Sequence, residues 1–407
     1  MTMRFLQPRY QKILLVASLV SYALVVVLLG VRVHTLDDLT HYSDSIESIF
    51  NAGAGGGLTN QLDHKASATV EKEEEEDPIL KILRQGGYDV DNKADFTPSV
   101  MNSLPNMSEI LSLYGPPKIL GLETCETFRQ KIKDVDRILG VAGTFNTGTN
   151  LLHQLLQKNC WNRPRKEKFG SSGVNWQVFW GKHIPGNFRG THFINSIKTP
   201  EERAAYEDVL PVVAVRDPYF WMQSMCRQNY NARFDHDSNH CPNLIPYPED
   251  IKAHPRFAKK QYIPVTVKYD HDLAIKHTSL AHFWNDWYSY YADIHHQNIT
   301  YPRLMVRMED LLFHSDVVIP QICDCAGFEH HSKENIRHQA ATSNRNHGVE
   351  LTGFMTGLIR ALIKYGNPRN RLNGYAPNQV QAAKTILDPA LMQFFGYPVE
   401  EPPISPT

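Results

Sequence analysis

A loop bracketed by two glycines is the first stretch whose residue types and spacing suit a specific chemistry. Gly143 and Gly148 enclose TFNT, and the apolar run RILGVAG precedes them. Amide N–H groups at the start of a helix bind anions, and the helix dipole favours negative charge there. Threonine and asparagine side chains add donors. The residues that we assign to this anion site are Thr144, Phe145, Asn146, Thr147, Gly148, Thr149 and Asn150.

The same loop lacks two groups that nucleoside-triphosphate hydrolases need. Their loop continues after the second glycine with Lys and then Ser or Thr, whereas this one continues with Thr149 and Asn150. That lysine holds the β- and γ-phosphates, and the hydroxyl binds magnesium. The sequence therefore disfavours hydrolysis of ATP or GTP and a nucleoside-phosphate kinase, and predicts a phosphate site that requires no metal.

A second candidate anion site follows a later valine-rich run, VVAVRDPYFWMQSM (212–225). Arg216 stands at the end of the run, and Ser224 lies two helical turns further on. A guanidinium offers forked donors that match a phosphate. We therefore predict that Arg216 and Ser224 bind a second phosphate group.

Together these motifs resemble those of the sulfotransferases. FNTGTNLL (145–152) is similar to the loop P-K-S-G-T-T-x-L, which in that family holds the 5′-phosphosulfate of 3′-phosphoadenosine 5′-phosphosulfate. Arg216 and Ser224 match the pair that binds the 3′-phosphate, and VRMEDLL (306–312) resembles the family's R-x-E-D-L segment. The resemblance implies a P-loop-like sulfotransferase fold with this nucleotide as co-substrate. One departure is Asn146, which stands where the family has the lysine that helps the bridging oxygen leave.

The segment NWQVFWGKHIPGNF (175–188) supplies the candidate general base. It resembles the K-x-H-L-P-like segment of family members that use histidine, which implies His183 as the base. Lys182 is then the candidate replacement for the absent loop lysine. Glu167, Glu309 and His192 are the alternatives for the base.

Other residues are candidates for contacts with the acceptor or the nucleotide. Trp176, Phe179 and Trp180 either stack on a sugar ring or belong to the core. The basic segment RPRKEKFG (163–170) is either a solvated loop or a contact for an acidic polysaccharide. In the late polar loop SNRNHG (343–348), the resemblance implies that Arg345 and Gly348 close over the 3′-phosphate. A further basic loop, YGNPRNRLNGYAP (365–377), is a candidate cover for the acceptor.

Strand and helix patterns place these motifs on an α/β scaffold. Apolar runs predict strands at 137–143 and 209–218 and a strand that runs into a turn at 303–312. Helical spacing predicts helices at 149–159, 219–230, 317–328 and 378–397. Such alternation predicts a central, mainly parallel sheet flanked by helices. The polar stretch 231–265 is expected to be a long surface insertion.

The N-terminal part of the chain reads as a membrane anchor and a stem. Residues 13–31 are uncharged and long enough to span a bilayer, and a cleaved signal peptide is the alternative. Basic residues before the span predict a cytoplasmic tail at 1–12. We expect residues 32–117 to be a partly disordered stem and lead-in, and 118–400 to be a luminal domain. Six cysteines would permit disulfides there, and Cys226 with Cys241 is one local possibility.

The combined hypothesis is a single-pass type II Golgi sulfotransferase that acts on a carbohydrate hydroxyl, with its catalytic domain in the lumen. The net charge of −1 gives no indication of nucleic-acid binding. Two other classes stay open. A Golgi glycosyltransferase would use a D-x-D pair, and DVD occurs at 89–91 and 134–136. A catalytically inactive, membrane-anchored nucleotide- or glycan-binding member of the fold would account for Asn146.

Overall fold

The structure is a computed structural model, and it describes residues 76–92, 96–193, 205–234, 240–270, 272–294, 299–339 and 357–398. The predicted tail at 1–12 and the predicted span at 13–31 lie outside these ranges. Among the helices of the described ranges, none has both the length and the apolar character that a bilayer crossing needs. Residues 74–407 group as one compact unit.

Strands and helices are numbered here along the described chain. The strands are β1 Ile119–Leu120, β2 Ile138–Ala142, β3 Cys160–Trp161, β4 Val174–Asn175, β5 Val209–Val215, β6 Ala232–Arg233, β7 Val265–Lys268, β8 Ala274–His277, β9 Leu304–Arg307 and β10 Glu329–His330. The helices are α1 Pro78–Gln85, α2 Pro98–Ser103, α3 Met107–Tyr114, α4 Cys125–Lys131, α5 Thr149–Asn159, α6 Arg163–Phe169, α7 Pro218–Arg227, α8 Pro248–Ala253, α9 Leu280–Ala292, α10 Met308–Phe313, α11 Ser315–Ala326, α12 Leu358–Gly366, α13 Pro377–Ile386 and α14 Pro389–Phe395.

The central sheet is mixed and has the strand order β1-β9-β5-β2-β4. The pairings of β9 with β5, β5 with β2 and β2 with β4 are parallel, and β1 pairs with β9 antiparallel. The α/β class predicted from the sequence is therefore confirmed, with an antiparallel edge strand. Every residue of β2, β5 and β9 is buried, as expected for strands that carry helices on both faces.

Alternate residues of β2 enter two different hydrophobic clusters. Leu139 and Val141 pack in the cluster that includes Leu151 and Leu155 of α5. Ile138 and Ala142 belong to the cluster on the other face, which contains the tryptophans and tyrosines of α9. This division follows from the two-residue period of a strand, and it fixes the end of β2 between two packed layers.

The lead-in is more ordered than the sequence suggested. Where an irregular and partly disordered segment was expected, the described part of it forms α1, α2 and α3. Ile79, Leu83 and Ile110 are buried in the core. Asn106 and Glu109 form a reciprocal capping box at the start of α3. Short helices of this kind are stabilised by packing, which sequence periodicity over a few residues does not reveal.

Two further predictions need correction. The single helix predicted at 378–397 is two helices, because Asp388 caps a new helix that Pro389 begins. The stretch 231–265 is not only a surface insertion, since β6, β7 and β8 form a separate antiparallel sheet and residues such as Ile263 and Val265 are buried.

All six cysteines are paired. Cys226 bonds to Cys241, as the sequence suggested, and the other two disulfides join distant parts of the chain. Cys125 bonds to Cys325, and Cys160 bonds to Cys323. Both long-range bonds end on α11, so this helix is tethered to α4 and to the C-terminal end of α5.

Candidate functional site

The loop 143–148 joins the end of β2 to the first turn of α5, as the sequence predicted. Gly148 has a left-handed backbone with φ 79°, and a Cβ there would lie 2.5 Å from Cγ of Met308. Glycine is required for both reasons. No side chain caps α5. The first amide groups of an uncapped helix need another acceptor, and a bound anion supplies one.

The loop threonines have a structural role. Thr144 and Thr147 are fully buried, and the Thr147 hydroxyl donates to the Thr144 carbonyl at 2.7 Å. Thr149 is also buried. The Thr144 and Thr147 hydroxyls bond to carbonyls of the loop itself, so the main-chain amides are better suited to an anion than these two side chains.

Asn146 joins the loop to α7. Its backbone is left-handed with φ 61°, a conformation that asparagine tolerates better than most residues. Its side-chain amide donates to the carbonyl of Gln228 at 2.9 Å. Asn146 is therefore a polar link between the loop and the segment after α7.

Arg216 contacts both the loop and α7. One terminal nitrogen donates to the Asn146 carbonyl at 2.8 Å, and the other donates to the Ser224 hydroxyl at 3.0 Å and to the Phe220 carbonyl at 3.2 Å. The predicted Arg216–Ser224 pair is thus formed. The guanidinium is 5% exposed, and its buried Nε–H finds no acceptor among the described residues. An unpaired buried donor is unfavourable by about 1–3 kcal/mol, and a ligand oxygen would remove that penalty.

Lys182 places its amine at the start of α5. Its Nζ lies 3.2 Å from Oδ1 of Asn150 and 2.9 Å from the centre of the Trp176 ring. Burial lowers the pKa of Lys182 to about 7. A side-chain amine from another segment of the chain therefore lies beside the first turn of α5.

His183 is attached to the same loop. Its Nδ1 lies 2.7 Å from the Gly143 carbonyl, which can only accept, so Nδ1 carries a proton and Nε2 is the basic nitrogen. Burial is the main reason that the pKa of His183 is lowered to about 4; the bond to Gly143 opposes this shift, and the charge of Lys182 contributes to it. The ring also contacts Phe145 at 4.4 Å between centres. His183 is therefore a neutral imidazole of fixed tautomer.

The alternative bases are less well placed. Glu167 is exposed on α6, and His192 pairs with Asp270. Glu309 is fully buried, where it accepts from the Asp217 amide and the Tyr397 hydroxyl. Burial and the neighbouring Asp217 charge raise its pKa to about 7. Glu309 orders the chain after β9 and has no surface from which to meet an acceptor.

The aromatic and basic segments divide between core and surface. Phe179 and Trp180 are core residues, whereas Trp176 is 44% exposed above Lys182 and remains available for stacking. The segment 163–169 is helix α6 rather than a loop, and its Arg165 is buried. Arg345 and Gly348 lie outside the described residues, so their predicted role stays a prediction.

Three aromatic or basic residues near Arg216 and the loop were not singled out from the sequence, although Tyr365 opens the segment 365–377 that was considered for the acceptor. Tyr365 lies under the Arg216 guanidinium at 4.9 Å, and Tyr230 stacks on Phe145 at 5.5 Å between ring centres. Lys364 precedes Tyr365, and burial together with the charges of Arg216 and Arg227 lowers its pKa to about 8. The basic composition of the segment after residue 365 was the only sequence feature that pointed to this part of the chain.

Comparison of the chain with protein-family models, with curated proteins and with solved structures finds no match. The site is therefore interpreted from its own geometry. It combines an uncapped helix N-terminus, a buried guanidinium with an unpaired donor, an amine and a neutral imidazole. This set can bind an anionic ligand, stabilise negative charge on a leaving oxygen and accept one proton.

Proposed function

We propose that the protein is a sulfotransferase that moves a sulfuryl group from 3′-phosphoadenosine 5′-phosphosulfate to a hydroxyl of a carbohydrate. The observation that carries the proposal is the convergence of Lys182, His183 and Arg216 on the loop 143–148 and the uncapped first turn of α5. The loop and Lys182 suit the 5′-phosphosulfate, and Arg216 with Ser224 suits the 3′-phosphate. None of the groups in this arrangement requires a metal.

The chemistry assigned to the chain is an in-line displacement at sulfur. A hydroxyl oxygen of the acceptor forms the new S–O bond while the S–O bond to the phosphate breaks. His183 takes the hydroxyl proton through Nε2, because Nδ1 holds the proton of the neutral ring in its bond to the Gly143 carbonyl. Lys182 stabilises the charge that develops on the departing phosphate oxygen. The products are the sulfate ester and adenosine 3′,5′-bisphosphate.

Three disulfides favour a chain that matures in an oxidising compartment. This agrees with the proposal of a Golgi enzyme whose catalytic domain faces the lumen behind an anchor at 13–31. The choice of a carbohydrate acceptor rests on the family resemblance and on the exposed Trp176 beside Lys182.

The test is calorimetric titration of the purified full-length protein with adenosine 3′,5′-bisphosphate, in EDTA and then in magnesium. We expect binding that is equal in both, followed by transfer of radiolabelled sulfate to at least one glycan of a panel. Binding without transfer to any acceptor would indicate a non-catalytic member of the fold. Absence of nucleotide binding, or binding only of a nucleotide sugar with a divalent metal, would overturn the proposal.

A further inference from the structure

The triplet Asn-Met-Ser at 106–108 lies at the start of helix α3 and has no part in the candidate site. An asparagine followed two residues later by serine or threonine, with no proline between them, is the acceptor pattern for N-linked glycosylation. The sequence contains one other such triplet, Asn298-Ile-Thr300, whose asparagine lies outside the described residues. The contacts of Asn106 therefore show whether the folded chain can carry a glycan at the first triplet.

The two polar atoms of the Asn106 side chain differ in their contacts. The Oδ1 atom accepts from the Glu109 amide at 2.8 Å and from the Ser108 hydroxyl at 2.6 Å. The Asn106 backbone N–H donates in return to Oε2 of Glu109 at 3.1 Å. The Nδ2 atom has no hydrogen bond to any described residue. The oxygen therefore caps the helix, and the nitrogen that a glycan would modify is free.

The surface around Asn106 is open to solvent. Asn106, Ser108 and Glu109 are exposed, and so is Asn102 on the preceding helix α2. The Asn106 backbone is extended, with φ −95° and ψ 159°, so the residue stands just outside the helix that it caps. A glycan is bulky and solubilising, and it is suited to a surface position. Sugars attached at Nδ2 can therefore extend into water while the buried side of α3 stays packed.

The compartment of the proposed function also supplies the donor of such a glycan. Oligosaccharides are transferred to asparagine from a lipid diphosphate carrier in the lumen of the secretory pathway, the oxidising side on which disulfides form. Residue 106 follows the predicted span at 13–31, so the proposed topology places it in the lumen. The inference rests on this part of the proposed function, and it does not depend on sulfuryl transfer.

We propose that Asn106 is a glycosylation site and carries an N-linked oligosaccharide in the mature protein. In the transfer, Nδ2 forms a bond to the anomeric carbon of the first sugar. The bond from that carbon to the diphosphate of the lipid carrier breaks, and Nδ2 loses one of its two protons. The product is still an amide and keeps its Oδ1 acceptor. The cap of α3 and the glycan are therefore compatible on one side chain.

The test is expression of the full-length protein in eukaryotic cells, with a C-terminal tag that carries a separate acceptor triplet. Digestion with peptide N-glycosidase in heavy-oxygen water converts a glycosylated asparagine to isotope-labelled aspartate. Mass spectrometry of the peptide that contains residue 106 should find this label. Glycosylation of the tag reports independently that the C-terminal part of the chain has reached the lumen.

Variants made in an Asn298→Gln background assign the glycan to one residue. Asn106→Asp should fold, because aspartate caps a helix as well as asparagine does, and it should lose the glycan-dependent mobility shift. Ser108→Ala should also lose the shift, whereas Ser108→Thr should keep it. Asn102→Gln is the matched control and should keep the shift, since Asn102 is an exposed asparagine that begins no acceptor triplet.

An unmodified Asn106 in a protein whose tag is glycosylated would overturn the inference while leaving the luminal topology in place. If the tag is also unmodified, the inference and the proposed topology fail together. A labelled Asn106 in a protein that transfers no sulfate to any acceptor would support the glycosylation site and count against the proposed activity alone.

Discussion

Lys182 is the residue whose charge state responds most directly to a ligand. Without a ligand its pKa is about 7, because burial disfavours the ammonium form. A bound anion stabilises that form and raises the pKa. The protein should therefore take up a proton when it binds an anion at a pH between the pKa of the free protein and the higher pKa of the complex. Its affinity for the anion should fall as the pH rises above about 7.

This prediction can be measured by titrating adenosine 3′,5′-bisphosphate at about pH 8 in two buffers of different ionisation enthalpy. The wild type should show proton uptake. Lys182→Arg should bind without uptake, because a guanidinium is already charged. Lys182→Met should bind more weakly and also without uptake. Equal uptake in all three proteins would assign the proton to another group.

His183 gives the second prediction at the scale of single residues. His183→Gln keeps a donor for the Gly143 carbonyl but removes the basic nitrogen. Turnover should fall about 100-fold or more while nucleotide affinity is nearly unchanged, as expected for loss of a general base. His192→Ala is the control, because His192 was an alternative base and pairs with Asp270 at the surface. Near-normal sulfate transfer by a folded His183→Gln protein would move the base elsewhere.

At the scale of elements, the junction of β2 and α5 depends on one glycine. Gly148→Ala imposes a side chain on a left-handed backbone and places its Cβ against Met308. The left-handed conformation alone costs about 1–2 kcal/mol, and overpacking adds about 1–3 kcal/mol. We expect urea unfolding to show a loss of about 2–5 kcal/mol, together with weaker nucleotide binding.

Gly87→Ala is the matched control for that experiment. Gly87 is also left-handed, with φ 85°, but a Cβ there meets no atom within 4 Å. The Gly87→Ala variant should lose only the free energy of unfolding that the left-handed backbone costs, and its nucleotide binding should stay unchanged. Equal losses of stability in the two variants would contradict a packing role for Gly148 against Met308.

The elements that carry the site were largely predictable from the sequence, because local signals define them. Apolar runs fixed the positions of β2 and β5, while Gly148 and Pro218 marked the starts of α5 and α7. The adjacency of Arg216 to Ser224 followed from helical spacing. In each case the controlling interaction lies within a few residues of chain.

Tertiary contacts were not accessible in this way. The hydrogen bond from Arg216 to the Asn146 carbonyl joins two loops that are distant in sequence. Arg216, which the sequence predicted only as a ligand contact, therefore also has a structural role. The lead-in helices gain their stability from packing, and the threonine hydroxyls are used by the loop itself. None of these features leaves a periodic or compositional signal.

At the scale of the whole molecule, two disulfides converge on α11 and act as a pair. Cys125–Cys325 and Cys160–Cys323 join nearly the same two regions, so either bond alone still closes a long loop. Removing one bond frees only the shorter segment between Cys125 and Cys160. Removing both releases the long loop as well. Their contributions to stability should therefore be coupled rather than additive.

In the chain-entropy view, losing either long-range bond through Cys→Ala pairs should lower the free energy of unfolding by about 4 kcal/mol, and losing both by about 9 kcal/mol. The local Cys226–Cys241 bond, whose loop spans 15 residues, should contribute about 3 kcal/mol and add independently to either. Urea unfolding of the single, double and local variants measures the coupling. Strictly additive losses for the two long-range bonds would show that they constrain the unfolded chain independently. Such a result would contradict the coupling that we expect from their shared attachment to α11.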